Sequence, residues 1–353
     1  MTAVSGITPS GRLTLGNYLG ALRRFAPASP TPPTEHLGGT VSTPSGARNG
    51  AAAVSGSKGV NELGFYFVAD LHALTTRQDP KRLATLTRET ALLLLSSGLP
   101  DDSVFIQSAV PAHAQLAYLL ECTAYVGELS RMVQFKEKGR GKPMTRTSLF
   151  TYPCLMAADI LLYGADRVPV GGDQDQHVEL ARDLAARFNR TYGETFGVPE
   201  LHRATTAGRV RDLLTPTTKM SKSDPDEAPG VLRMLDSPDV LRRKVMRAVT
   251  DSDGEVRHDE VAKPGVTNLL EILGACTGNP AAETAASYTS YGDLKRDTAD
   301  AVIALLEPVQ RRYAALVADP SGVHQLLTAG RDRATAFAEP RLGRAMRAIG
   351  LMS

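Results

Sequence analysis

Five consecutive residues, Lys219-Met220-Ser221-Lys222-Ser223, put two ammonium groups and two hydroxyls into one short stretch. Pro216-Thr217-Thr218 precedes them and Asp224-Pro225 follows, a context that predicts a loop rather than a helix or strand. Lysine supplies compact positive charge and serine supplies hydroxyl donors, so such a loop can wrap a polyphosphate. Taken alone, the same string also describes a solvated basic surface loop. A second segment gives it weight. Residues 4–7 read as a strand, followed by Thr8-Pro9-Ser10-Gly11-Arg12-Leu13 and then Thr14-Leu15-Gly16-Asn17. A strand, a glycine-containing turn and a helix opening at Gly16-Asn17 aim backbone donors at an anion, and Gly16 leaves room for a nucleotide. A tight turn that binds nothing would look the same.

Three more groups could do chemistry. Asp159 lies among Met156, Ala157, Ala158, Ile160 and Leu161, and a carboxylate in an apolar helix needs a partner because burying it alone is costly. That partner is either another group of the fold or a ligand. Gly171-Gly172-Asp173 ends one strand and starts a helix, at the edge of a parallel sheet where ligands collect. There the glycines allow adenosine to approach and Asp173 can accept from ribose hydroxyls. Lys138 belongs to the basic run Lys136-Glu137-Lys138-Gly139-Arg140-Gly141-Lys142, whose glycines suggest mobility. His177 and Glu179 do not make a H-E-x-x-H pattern, and no other His or Cys spacing suggests a structural metal, so no protein-held metal is expected.

These groups need a frame. Phe65-Tyr66-Phe67-Val68 reads as a buried strand leading into Asp70-Leu71-His72, with further strands at 104–106 and 168–170. Asp79 followed by Pro80 predicts an N-cap with proline at the first helical position, opening a helix that runs to about Ser97. Residues 174–189 are helical in pattern too, and the alternation predicts a parallel sheet with crossover helices. After Asp224 the β-like runs nearly vanish, and residues 240–249, 266–276, 298–317 and 341–350 look like helices. The expected architecture is therefore an α/β domain over 1–225 and a helical domain over 226–353. Residues 26–59 are mostly Pro, Ser, Thr, Gly and Ala, too poor in large apolar groups to offset the cost of ordering, and are expected to form a disordered surface insertion.

Composition narrows the classes. With 353 residues, 42% hydrophobic and 22% charged, the chain suits a soluble globular protein of one large and one smaller domain. The apolar run at 92–95 is far shorter than the ~20 residues a bilayer requires, so no membrane span is expected. Nor is a leader expected at the N-terminus. Cys122, Cys154 and Cys276 are scattered and odd in number, and read as reduced thiols of a cytosolic protein. A net charge of only +2 means that a nucleic acid would be met by a local patch.

In class I aminoacyl-tRNA synthetases a His-Ile-Gly-His motif follows the first strand and a Lys-Met-Ser-Lys-Ser loop follows the last. This chain resembles them, with Thr14-Leu15-Gly16-Asn17 and Lys219-Met220-Ser221-Lys222-Ser223 in those places. Both histidines are replaced, by Thr and Asn, as in the tryptophanyl branch. The resemblance to that branch in bacteria continues through Thr151-Tyr152-Pro153-Cys154-Leu155-Met156-Ala157-Ala158-Asp159-Ile160-Leu161-Leu162-Tyr163 and Val168-Pro169-Val170-Gly171-Gly172-Asp173-Gln174-Asp175-Gln176-His177. Phe105-Ile106-Gln107-Ser108, Gln134-Phe135-Lys136-Glu137-Lys138 and Ala262-Lys263-Pro264-Gly265 extend it to nearly the whole chain outside 26–59.

The resemblance implies a Rossmann-like catalytic domain and a C-terminal tRNA-binding helical domain, with the last helix packing back on the first. It implies that L-tryptophan is activated with ATP and passed to tRNA(Trp). Asp159 would accept the indole N–H, with Met156, Ile160, Val168 and Val170 lining the pocket and His72, Gln174 and Tyr152 as neighbours. ATP would meet Thr8, Pro9, Ser10, Gly16, Asn17, Gly171, Gly172, Asp173, Val210 and Met220. Lys219 and Lys222 would neutralise the departing pyrophosphate with Mg²⁺ assisting, Lys138 would lie near the phosphates, and Ser221 and Ser223 would hold phosphate oxygens or the closed loop. Arg242-Arg243-Lys244, Arg247, Arg311-Arg312, Arg341, Arg344 and Arg347 could meet tRNA phosphates. A homodimer in the cytoplasm is expected. A tyrosine-activating relative, a nucleotidyltransferase or adenylylating ligase on a similar fold, and a weakly active paralogue remain the alternatives at this point.

Overall fold

A computed structural model describes residues 2–23, 63–165, 167–170, 175–203 and 210–351, with backbone alone for 167–170 and 201–203. The segment 26–59 lies outside the described residues. Five strands, β1 (Thr2–Ile7), β2 (Leu63–Val68), β3 (Val104–Ile106), β4 (Arg167–Val170) and β5 (Glu200–Arg203), form one sheet in the order β3-β2-β1-β4-β5. Every pairing is parallel, with Thr2 opposite Leu63 and Ile7 opposite Val68. The chain adds strands in one direction from β1 to β3 and then crosses back to add β4 and β5 on the other side. This is the doubly wound, Rossmann-like arrangement, and it opens a crevice between β1 and β4 at their carboxyl ends.

The inner strands β2 and β3 read as apolar runs, Leu63-Gly64-Phe65-Tyr66-Phe67-Val68 and Val104-Phe105-Ile106, because both faces are covered. Phe65 and Phe67 point into one core with Val4 and Phe105, while Tyr66 and Val68 point into another with Ile7 and Val104. Helices supply both coverings. After β1 comes the three-residue α1 (Leu15–Asn17), and α2 (Pro80–Ser96) follows β2. Asp79 caps α2 through Oδ1, which accepts from the Arg82 amide at 2.8 Å. Then come α3 (Ala112–Glu121), α4 (Thr147–Leu161) and α5 (Asp175–Tyr192), which lie with Phe65 and Phe67. Helices α6 (Pro238–Met246), α7 (Pro264–Thr277) and α8 (Tyr291–Ala318) share the opposite core with α2.

The final helix α9 (Pro320–Ile349) is three times longer than the expected 341–350. Its glycines and Pro340 disguise the period, and tertiary packing supplies what propensity does not. Gly330 rests against β3 so closely that a Cβ there would come within 1.9 Å of the Val104 carbonyl oxygen. Arg333 donates to the Gly64 carbonyl at 3.0 Å, and Ala334, Ala338 and Leu342 enter the core beside Phe65. Strand β5 carries no sequence signal, because Glu200-Leu201-His202-Arg203 has a single apolar residue and neither a run nor a period.

Candidate active site

A cleft of about 830 Å³ opens at the carboxyl ends of β1 and β2, beside the crossover between β1 and β4. It has two chemically different ends. Phe67, Met156 and Ile160 line one end together with Asp159, Tyr152 and His72. Thr8, Ser10, Asn17, Lys138, Lys219, Lys222 and Ser223 line the other.

At the apolar end Asp159 is only 4% exposed, yet its carboxylate is well supplied with donors. Oδ1 accepts from Gln107 Nε2 at 2.7 Å and from His113 Nδ1 at 2.6 Å, and Oδ2 from His72 Nε2 at 2.8 Å. Burial pushes the pKa of Asp159 up, but the hydrogen bonds from His113 and His72 outweigh it and hold the carboxyl below its ordinary value. His113 is fully buried, and its Nε2 lies 2.8 Å from the Tyr163 hydroxyl. The ionised Asp159 can only accept, so His113 Nδ1 carries the hydrogen that faces it, and burial raises the Tyr163 pKa, so the partner of Nε2 is a protonated hydroxyl. A carboxylate offers about four acceptor positions. Three are filled, leaving one on Oδ2 for a donor in the cleft.

The polar end is built by two loops in contact. The Thr14 hydroxyl caps α1, accepting from the Asn17 amide at 3.3 Å. Asn17 Oδ1 turns back to accept from the Thr14 amide at 3.0 Å and hydroxyl at 3.1 Å. The Nδ2 hydrogens are then the donors Asn17 has left to offer a ligand. Across the cleft, Lys222 reaches over this turn and donates to the Thr8 carbonyl at 2.7 Å. Burial, with Lys219 nearby, lowers the Lys222 pKa to about 8. Gly11 permits the approach, because a Cβ there would lie 1.9 Å from the Lys222 carbonyl oxygen. One end can therefore hold an apolar body with a single N–H or O–H, and the other a polyanion.

The sequence matches a family model described as tRNA synthetases class I (W and Y) over residues 28–307. The chain belongs to this family. The tryptophan–tRNA ligase 1 of Streptomyces avermitilis is 48% identical over 354 residues, covering 99% of this chain and 98% of that one. Among solved structures, the tryptophanyl-tRNA synthetase of Mycoplasma pneumoniae superposes with a TM-score of 0.80 at 33% identity, covering 100% of this chain and 98% of that one. The Campylobacter jejuni enzyme, solved with ADP and tryptophan, gives a TM-score of 0.74 at 26% identity over 99% and 100% of the two chains.

Within this class I synthetase several expected residues sit elsewhere than in the cleft. Met220 and Val210 have core side chains, joined by a 3.2 Å hydrogen bond from the Met220 amide to the Val210 carbonyl, so only their backbone could meet a ligand. Ser221 braces its own loop, accepting from the Ser223 amide at 3.1 Å. Pro9 and Gly16 are not among the residues that line the cleft, and a Cβ on Gly16 would lie 3.5 Å from Val210. Gly171, Gly172, Asp173 and Gln174 lie outside the described residues, as do the side chains of Val168 and Val170.

Some of the basic groups are also spoken for. Lys244 is buried on the Val231 carbonyl and Asp236, Arg242 pairs with Asp300, Arg312 pairs with Asp101, and Arg341 packs against Gly164. Arg243, Arg247, Arg311, Arg344 and Arg347 are exposed. Sequence reasoning gave no role to Gln107, His113 or Tyr163. The available signal was a histidine inside the apolar stretch Ala112-His113-Ala114-Gln115-Leu116, which needs a buried partner as much as Asp159 does.

Proposed function

We propose that this synthetase activates L-tryptophan with ATP and transfers it to the 3′ end of tRNA(Trp). The single observation that carries the reading is the ionised, buried Asp159 with one acceptor position open at an apolar cleft end. Indole is an apolar body with a lone N–H donor, and matching it demands an acceptor-only group. The opposite end suits a triphosphate. The ADP and tryptophan complex of the Campylobacter jejuni relative supports the pairing of these two ligands.

In this reading a tryptophan carboxylate oxygen attacks the α-phosphorus, the bond from that phosphorus to the β-bridging oxygen breaks, and pyrophosphate leaves. No protein nucleophile takes part. Catalysis comes from positioning and from charge stabilisation by Lys219 and Lys222, with Lys138, Ser223 and Asn17 as further phosphate donors. Gly171, Gly172 and Asp173 are proposed for the adenosine, Gln174 for the amino acid and Val168 and Val170 for the indole wall. Among the described residues, the polar end presents amides, hydroxyls and ammonium groups rather than carboxylates. Mg²⁺ would therefore arrive on the oxygens of ATP, and none of the protein's own steps is assigned to it. Pyrophosphate exchange into ATP that depends on tryptophan, absent with tyrosine, followed by charging of tRNA(Trp), tests the reading. Exchange with tyrosine instead would overturn it.

We assign the chemistry of activation to residues 1–225 and tRNA binding to the helices of 226–353, with Arg243, Arg247, Arg311, Arg344 and Arg347 facing phosphates. No helix among the described residues is long and apolar enough to cross a membrane, and the proposed compartment is the cytoplasm. The proposed assembly is a homodimer, supported by Tyr118, Tyr125 and Val126, which are 62–73% exposed on and beside α3. Sedimentation velocity should give twice the 37.7 kDa chain mass, and a single-chain mass at micromolar concentration would rule the dimer out.

A further inference from the structure

We propose that Arg233 is a positioning residue for activation, holding the Lys222 loop against the first-strand turn so that the Lys222 ammonium reaches the cleft. The inference rests on the role just assigned to Lys222. Arg233 is 2% exposed and spends its guanidinium on main-chain carbonyls of both loops. Nη1 donates to Arg12 O at 2.8 Å and Lys222 O at 3.3 Å, and Nη2 to Asp224 O at 2.8 Å and Pro225 O at 3.0 Å. A planar fork can serve all four of these carbonyls at once, which an ammonium with three donors cannot.

The rest of its segment is pinned. The Leu15 amide donates to Leu232 O at 2.9 Å and the Met234 amide to Leu13 O at 3.0 Å, flanking the antiparallel bridge between Thr14 and Arg233. Asp236 Oδ2 accepts from the Arg233 amide at 2.9 Å and from buried Lys244 at 2.7 Å. Gln310 on α8 donates to Met234 O at 2.8 Å and Asp236 O at 2.9 Å. The guanidinium thus projects from a fixed strut toward two loops that meet where Lys222 touches Gly11 and Thr8, and the strut continues into the C-terminal helices.

A residue acting through Lys222 has a distinctive kinetic signature. Arg233→Met should lower kcat for pyrophosphate exchange about 100-fold, the scale of a misplacement near 1 Å. Tryptophan affinity should not change. That affinity can be read from indole fluorescence of the bound ligand, since the chain contains no Trp. Arg233→Lys should lose less. In a Lys222→Ala background the Arg233→Met change should cost little more, because the group it positions is gone. Equal losses in both backgrounds, or a parallel fall in tryptophan affinity, would overturn the proposal in favour of a purely structural arginine. If Arg233→Met does not fold, the same cycle with Arg233→Lys decides by the same criterion. Failure of the underlying reading would appear earlier and separately, as wild-type enzyme without exchange or as Lys222→Ala with full exchange.

Discussion

Lys222→Ala lowers the rate of tryptophan-dependent pyrophosphate exchange by about 10³-fold and leaves tryptophan affinity intact. The expectation follows from where charge develops. Pyrophosphate departs with negative charge that was shared in ATP, and a preorganised donor aimed at developing charge is worth ~10²–10³ in rate. Lys222 is preorganised by its bond to the Thr8 carbonyl and by burial, while the indole end of the cleft is built from other elements. Burial also sets a pH dependence. The ammonium has its pKa lowered to about 8, so kcat/KM for ATP should hold below that pH and decline above it as the charge is lost. Unfolding does not explain such a decline. The unfolded lysine keeps its proton up to about 10.5, so between 8 and 10.5 the unfolded state binds more protons and this group makes folding more favourable as pH rises. Lys222→Arg, which stays charged, should flatten the alkaline limb. Full activity of Lys222→Ala, or an unchanged limb in Lys222→Arg, would remove this lysine from the chemistry.

How much of this was legible in the sequence depended on whether a signal was local. Strands β2 and β3 were readable because burial on both faces makes them unbroken apolar runs, β1 from its Val4 and Ile7 ahead of the Thr8-Pro9 turn, and α2 because Asp79-Pro80 carries its cap and first residue together. The residue types at both ends of the cleft were readable for the same reason, since Lys219 and Lys222 are two positions of one loop and Asp159 stands out against its neighbours. What could not be read was anything made by distant segments. Nothing in Arg233 itself distinguishes it from Arg242 or Arg243, and its importance lies in carbonyls of residues 12, 222, 224 and 225. Gln107 and His113 converge on Asp159 from 52 and 46 residues away. Long α9 was mostly hidden because residues such as Gly330, which costs helix propensity, are there to let it touch β3.

The Asp159 network leads to the second large effect: Asp159→Asn should lower kcat/KM for tryptophan by about 10³-fold or more. A site built to pair a substrate N–H rejects a mismatch by up to ~10⁴–10⁵, because buried polar groups are then left without partners. The substitution keeps size and removes charge. Asparagine has one acceptor oxygen, and it must choose between Oδ1, facing Gln107 and His113, and Oδ2, facing His72 and the cleft. If the oxygen faces inward, the amide NH₂ confronts the indole N–H, donor against donor. If it faces the cleft, the NH₂ confronts Gln107 and His113, and His113 must move its proton to Nε2, toward a Tyr163 hydroxyl that can then accept. Either arrangement leaves a donor facing a donor and gives up the ionised acceptor. Because Asp159 is held below its ordinary pKa, wild-type tryptophan binding should show no acid limb near neutral pH. An analogue with sulfur in place of the indole nitrogen separates this account from simple damage to the pocket. Wild type should strongly prefer tryptophan over the analogue, and Asp159→Asn should lose most of that preference by losing tryptophan. If the variant discriminates as well as wild type, the indole N–H is read by another group.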